Sequence, residues 1–194
     1  GQDGLSLKAV PGDRAPDNMP DMIIRFGAWW CVHHSYDDLR LWVRRCARRF
    51  GLRVDAAKLS DVHLRADVPV RFTQYDLDRI SGTSTRNGRV NTHHRKGDLT
   101  GIHNLGGKKP IKYNIYDKRL QVREKDLHLW ASHWRRLDID PDTPIWRIEP
   151  RFNRDGLLRH GIDTMDDLTT DSINALWSWF TSQYLVFRTH RNKR

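Results

Sequence analysis

The chain has 194 residues, 38% of them hydrophobic, which is enough apolar side chain to fill the core of one domain. Its 34 Lys and Arg against 24 Asp and Glu leave a net charge of +10, which points to an anionic partner, nucleic acid first, although a merely soluble basic protein has the same balance. Apolar stretches such as Ile23 to Val32 are too short and interrupted to span a bilayer, and no signal-peptide pattern opens the chain, so a cytoplasmic protein without membrane contact is expected.

In chain order, Gly1 to Pro20 is rich in Gly, Pro and Asp and reads as a poorly ordered arm, leaving 21–194 as a single domain. Ile23 to Val32 suggests a buried strand, and Ser35 with Asp38 three residues later resembles a capping box. Leu39, Trp42, Val43, Cys46 and Phe50 then recur at helical spacing, with Arg40, Arg44, Arg45, Arg48 and Arg49 mostly on the other face. That arginine face fits phosphate contact or simple solvation equally well. Gly51 is positioned as the C-terminal cap. Cys31 and Cys46, with no CxxC pair, support neither a disulfide framework nor a zinc ribbon.

Val62, Leu64, Ala66 and Val68 alternate with Asp61, His63, Arg65 and Asp67, the pattern of a half-buried strand whose polar face holds metal-ligand types. A short helix near Tyr75 to Ile80 and a loop from Ser81 to Gly88 follow. The basic turn Leu105 to Pro110, carrying Lys108 and Lys109, leads into the alternating run Ile111 to Tyr116, as in a hairpin. Leu127 to Leu137 reads as a helix, Ile145 to Phe152 as a strand, Leu157 to Leu168 as a short helical segment and Ile173 to Tyr184 as a last helix. Strands paired through hairpins beside separate helices favour an α+β fold. The pairs His33-His34 and His93-His94 lack His-x-His spacing, and Leu105 to Lys109 completes no P-loop.

Three segments resemble, in order, the replication initiation factor family of rolling-circle plasmids and phages, relatives of which are relaxases of conjugative elements. They are Ser60 to Asp67; Thr100-Gly101-Ile102 with Ile115-Tyr116-Asp117-Lys118; and Trp146-Arg147-Ile148-Glu149. The segment Leu157 to Leu168 also looks like the family, and the resemblance covers most of the chain from Ser60 onward.

The resemblance implies a curved, mostly antiparallel sheet with helices on one face, binding of a single- or double-stranded origin, homodimers, and nicking and rejoining of one strand through a phosphotyrosine. Tyr116 is then the nucleophile, with Lys118 beside the phosphate, and Asp67, Glu149 and His63 would hold Mg2+ or Mn2+. Arg65, Arg147, Arg151, Lys108, Lys109, Arg95 and Lys96 are the expected DNA contacts. A phenol near pKa 10 needs such help, because it is a weak nucleophile at neutral pH.

The competing readings are structural. Tyr116 also fits a rim aromatic with a satisfied hydroxyl, and Asp67 and Glu149 fit ion pairs with Arg65, Arg147 or Arg151. Tyr113, three residues before Tyr116, belongs on the opposite strand face. The chain departs from the family pattern at His63, where an aspartate is usual, and at Gln121, preceded by Leu120, where a glutamate is usual. These departures weaken metal binding and leave a noncatalytic DNA-binding domain as the alternative to nicking; a remoter third reading is an RNA-binding or ribosome-associated protein.

Overall fold

A computed structural model describes residues 5–9, 22–52, 54, 57–73, 75–76, 79–81, 90–95, 98–104, 110–122 and 124–187. They fall into two compact units, Gly1–Ala56 and Ala57–Arg194.

In the first unit β1 (Leu5–Ala9) pairs antiparallel with β2 (Met22–Phe26), with Leu5 opposite Phe26. Leu5–Ala9 is therefore an ordered strand inside the stretch read as a loose arm. β2 is also shorter than the apolar run suggests. Gly27, extended at φ −76° and ψ 163°, caps a short helix α1 (Ala28–His33), so Trp29, Trp30 and Val32 are helical. Trp30 and Phe26 then meet Trp42 edge-on, at ring separations of 5.8 and 5.7 Å.

Helix α2 (Tyr36–Arg49) starts at the expected capping box: Ser35 Oγ accepts from the Asp38 amide, and the Asp38 carboxylate accepts from the Ser35 amide at 3.0 Å. Leu39, Val43 and Ala47 form its buried stripe. Phe50, expected to extend that stripe, is 61% exposed because it follows the last helical turn. Gly51, at φ 68°, takes the left-handed conformation that closes the helix and in which a side chain is strained.

The second unit is built on an antiparallel sheet in the order β3-β9-β8-β7-β6, with β4 also on β9. The strands are β3 (Asp61–His63), β4 (Ala66–Val68), β6 (Val90–Arg95), β7 (Asp98–Asn104), β8 (Ile111–Asp117) and β9 (Trp146–Asn153). β5 (Ile80–Ser81) pairs instead with β10 (Val186–Phe187). The run Asp61 to Val68 is thus two strands in one register on β9, interrupted opposite Pro150, which accepts from the Leu64 amide at 3.0 Å but has no N–H to return the bond. With its helices the unit is α+β, as the sequence predicts.

Period-two alternation places the site. On β8, Ile111, Tyr113 and Ile115 are buried, while Lys112, Asn114 and Tyr116 alternate with them on the other face. On β9, Trp146, Pro150 and Phe152 are buried with the first set, and Arg147, Glu149 and Arg151 alternate with the second.

Helices α3 (Lys118–Gln121), α4 (Leu127–Arg136), α5 (Arg154–Leu158) and α6 (Thr170–Trp179) complete the unit. Phe180, just beyond α6, lies 6.0 Å from Tyr113, and Trp179 lies 6.5 Å from Phe152, so this end of α6 packs on the apolar face. Each of the fully buried rings among them, Tyr113, Phe152 and Phe180, stabilises the fold by about 1.5–3 kcal/mol. Gly156 of α5 lets that helix approach β8: an added Cβ would stand 2.6 Å from the Pro110 carbonyl oxygen. Among the described residues no helix is long and apolar enough to cross a membrane.

Candidate functional site

The register of the sheet brings the resemblance motifs together. Tyr116 on β8 lies opposite Gly101 on β7 and opposite Arg147 on β9, and Arg147 lies opposite Asp67 on β4. Gly101 of the Thr-Gly-Ile segment is there for closeness: an added Cβ would sit 2.8 Å from Tyr116 Cβ and 2.9 Å from the Ile115 carbonyl oxygen.

A chain of polar contacts starts at Tyr116. Its hydroxyl donates to Glu149 Oε2 at 2.9 Å; Glu149 Oε1 lies 3.0 Å from His63 Nδ1, and His63 Nε2 lies 3.5 Å from Asp61 Oδ2. Asp61 in turn accepts from Arg151 Nε at 3.0 Å, and a second Arg151 nitrogen closes the pair. Burial, reinforced by the Glu149 charge, pushes the Tyr116 phenol well above its ordinary value and outweighs the opposing pull of Arg147. Burial works to raise Glu149 as well, but hydrogen bonds from His63 and Tyr116 prevail and hold it below the ordinary carboxylate value. Hydrogen bonds to Asp61 and Glu149 raise His63 to about 9 against burial, so at neutral pH it is an imidazolium between two carboxylates.

Asp67 is engaged elsewhere. Its Oδ1 accepts from Arg147 Nε at 2.6 Å, and its Oδ2 accepts from Arg147 Nη2 at 2.8 Å and from Trp134 Nε1 at 2.9 Å. Both side chains of the pair are buried, and Arg147 also lies 4.8 Å from the centre of the Trp130 ring. This is the ion pair weighed above as the structural reading of Asp67.

The metal expected on Asp67, Glu149 and His63 therefore finds a poor fit. Both Asp67 oxygens are committed to donors, and Glu149 is engaged by His63 through one oxygen and by Tyr116 through the other. Among the described residues no group of three or more His, Cys, Asp or Glu is arranged to hold a metal ion.

Lys118 departs from the simple strand pattern. β8 ends at Asp117, whose carboxylate accepts from the Leu120 amide at 2.9 Å and caps α3, so Lys118 turns inward. It is buried, donates to Gln121 Oε1 at 2.9 Å and lies 4.4 Å over Trp130. Gln121, one of the two departures, is thus the partner of the motif lysine. Arg65 lies 5.7 Å from the same ring.

Of the expected DNA contacts, Arg151 is half-exposed at the face while paired with Asp61, whereas Arg147 is buried. Arg95 lies on β6, and Lys96, Lys108 and Lys109 fall outside the described residues. Sequence reasoning names Asp61 only as one of the polar residues of its strand and passes over Lys112 and Asn114. Alternation with Tyr116 is the signal that finds the last two, and Lys112 lies opposite Arg151 in register. Tyr113 is buried on the apolar face, as its spacing predicts.

No protein-family model and no curated protein matches the chain. Among solved structures, a rolling circle replication initiator protein from Geobacillus stearothermophilus is similar over 70% of this chain and 48% of its own, at 16% identity and a TM-score of 0.42.

Proposed function

We propose that the chain binds DNA and cuts and rejoins one strand through a covalent phosphotyrosine at Tyr116, the chemistry of a rolling-circle replication initiator. One observation carries the reading: the Tyr116 hydroxyl donates to Glu149, a carboxylate kept ionised by His63, on the sheet position where the resemblance motifs meet. A phenol that enters protonated and a base that enters ionised are what a general-base step requires.

Glu149 takes the hydroxyl proton as Tyr116 Oη attacks phosphorus. The bond from phosphorus to the leaving sugar oxygen breaks, and that oxygen takes a proton from water. The phosphotyrosine conserves the energy of the broken bond, so the freed sugar hydroxyl can attack phosphorus and reseal the strand: its proton passes to water, the bond from phosphorus to Tyr116 Oη breaks, and Glu149 returns its proton to that oxygen. Arg151 and Lys112 supply positive charge on the same face. Mg2+ or Mn2+ would add Lewis acidity at the phosphate, but the ligands expected for it are committed within the protein.

That commitment favours a second reading, DNA binding without cutting. Wild type, Tyr116→Phe and Glu149→Gln are incubated with labelled single-stranded DNA, with Mg2+, Mn2+ or EDTA, and run on a denaturing gel. The nicking reading expects a slow-migrating adduct from wild type, none from Tyr116→Phe, and a rate lower by about a hundred- to ten-thousand-fold in Glu149→Gln. Absence of an adduct from wild type on every strand and metal tried, alongside tight salt-dependent binding, establishes the second reading. Light scattering on the same preparations tests for the homodimer.

A further inference from the structure

Helix α2 breaks a rule that surface helices generally keep. Its only carboxylates are Asp37 and Asp38; Asp38 is spent on the capping box, and Asp37 pairs with Arg40 at 3.4 Å. Along the remaining turns Arg45 and Arg49 stand at i,i+4 spacing with Arg48 beside them, and none of these three has an acidic residue three or four positions away within the helix. Like charges at that spacing destabilise a helix. Arg45, Arg48 and Arg49 keep that arrangement on an exposed face, which fits a surface that meets an anionic partner.

We infer that the exposed face of α2 carrying Arg45, Arg48 and Arg49 is a second phosphate-binding surface, which grips the nucleic-acid backbone. It rests on the reading of the chain as a DNA-binding protein and adds where part of the affinity resides. Arg45, Arg48 and Arg49 are exposed and lie within about 6 Å along the helix axis. Duplex DNA presents one negative charge per about 1.7 Å of axis, so a cluster of this density meets several phosphates at once.

The other anionic surface open to a basic amphipathic helix is a lipid headgroup layer. Such a helix binds by sinking its apolar stripe into the layer. In α2 that stripe, Leu39, Val43 and Ala47, is already buried within the protein; Leu41, 47% exposed among the arginines, and Phe50 past the last turn are too little apolar surface to sink into a lipid layer, and a backbone of phosphates is the better match for the charged face. Contacts of this kind read no bases and add affinity and position only.

The test compares full-length wild type with the triple variant Arg45→Gln, Arg48→Gln, Arg49→Gln, Gln being a comparable helix former. Binding of a fluorescent duplex oligonucleotide is followed as salt rises, together with adduct formation by Tyr116 and thermal melting. The inference expects the slope of log K against log salt to become shallower by about 0.9 per arginine lost, with a melting temperature at or above that of wild type. An unchanged slope in a folded triple variant overturns the inference while leaving DNA binding in place. Failure of wild type to bind any oligonucleotide overturns both it and the reading beneath it. Binding of wild type to phosphatidylserine vesicles, lost in the triple variant while the DNA slope stays unchanged, would assign the face to lipid and overturn it too.

Discussion

Asp67 and Arg147 meet with side chains 5% and 2% exposed, so neither charge is satisfied by water and each depends on the other. Asp67→Ala leaves a buried guanidinium unpaired and is expected to cost about 3–5 kcal/mol, seen as a fall in melting temperature. If Asp67 were a metal ligand instead, the same change would remove metal-dependent activity and leave stability nearly intact. Burial raises the Asp67 carboxyl, but the Arg147 bonds outweigh it and hold it below its ordinary value. Its contribution is therefore full above the unfolded carboxylate range and falls as acid protonates it.

His63 works with the opposite sign. Its folded value of about 9 stands above the unfolded 6.5, so its contacts with Asp61 and Glu149 add stability that is fully present below about pH 6.5 and gone once pH passes about 9. Half-exposure of the ring screens the effect and keeps it small. Wild type should therefore lose melting temperature between neutral pH and pH 9 relative to His63→Gln; parallel curves for the two proteins would show that the imidazole carries no charge there.

At the scale of the element, β7 and β8 approach closely only because residue 101 is glycine. Gly101→Val would force its side chain against Tyr116 Cβ and the Ile115 carbonyl, where backbone has to move. Overpacking of this kind costs about 1–3 kcal/mol. The variant should lose adduct formation more than DNA affinity, because the strand that shifts carries Tyr116, the proposed nucleophile; equal loss of both would place Gly101 in general folding instead.

Alternation makes β8 legible in the sequence, since Ile111, Tyr113 and Ile115 against Lys112, Asn114 and Tyr116 can be read off directly. The same rule misleads at Lys118, because the Asp117 cap ends the strand one residue earlier than parity assumes. The run from Ile23 likewise divides at Gly27, since a short apolar stretch suits a strand or a helix equally.

For the whole molecule, the resemblance motifs are each short, and what joins them is register. Asp67 and Arg147 are 80 residues apart, and His63 and Glu149 are 86 apart. Local patterning identifies these residues as strand positions with polar side chains. It cannot say that Asp67 takes Arg147 while Glu149 takes Tyr116 and His63, because that choice depends on how β3, β4 and β8 align on β9. The split into two units is equally hidden, since the basic helix and the aromatic residues around it carry no linker-like composition at residue 56.

The central claim is that Tyr116, and no other residue, takes the phosphate. Protein incubated with single-stranded DNA is trimmed with nuclease and digested with trypsin, which releases Tyr113–Lys118 as one peptide containing both tyrosines of β8. Fragmentation in the mass spectrometer then locates the nucleotide. Mass added to Tyr116 is the expected result; mass on Tyr113 or on any other residue contradicts the account.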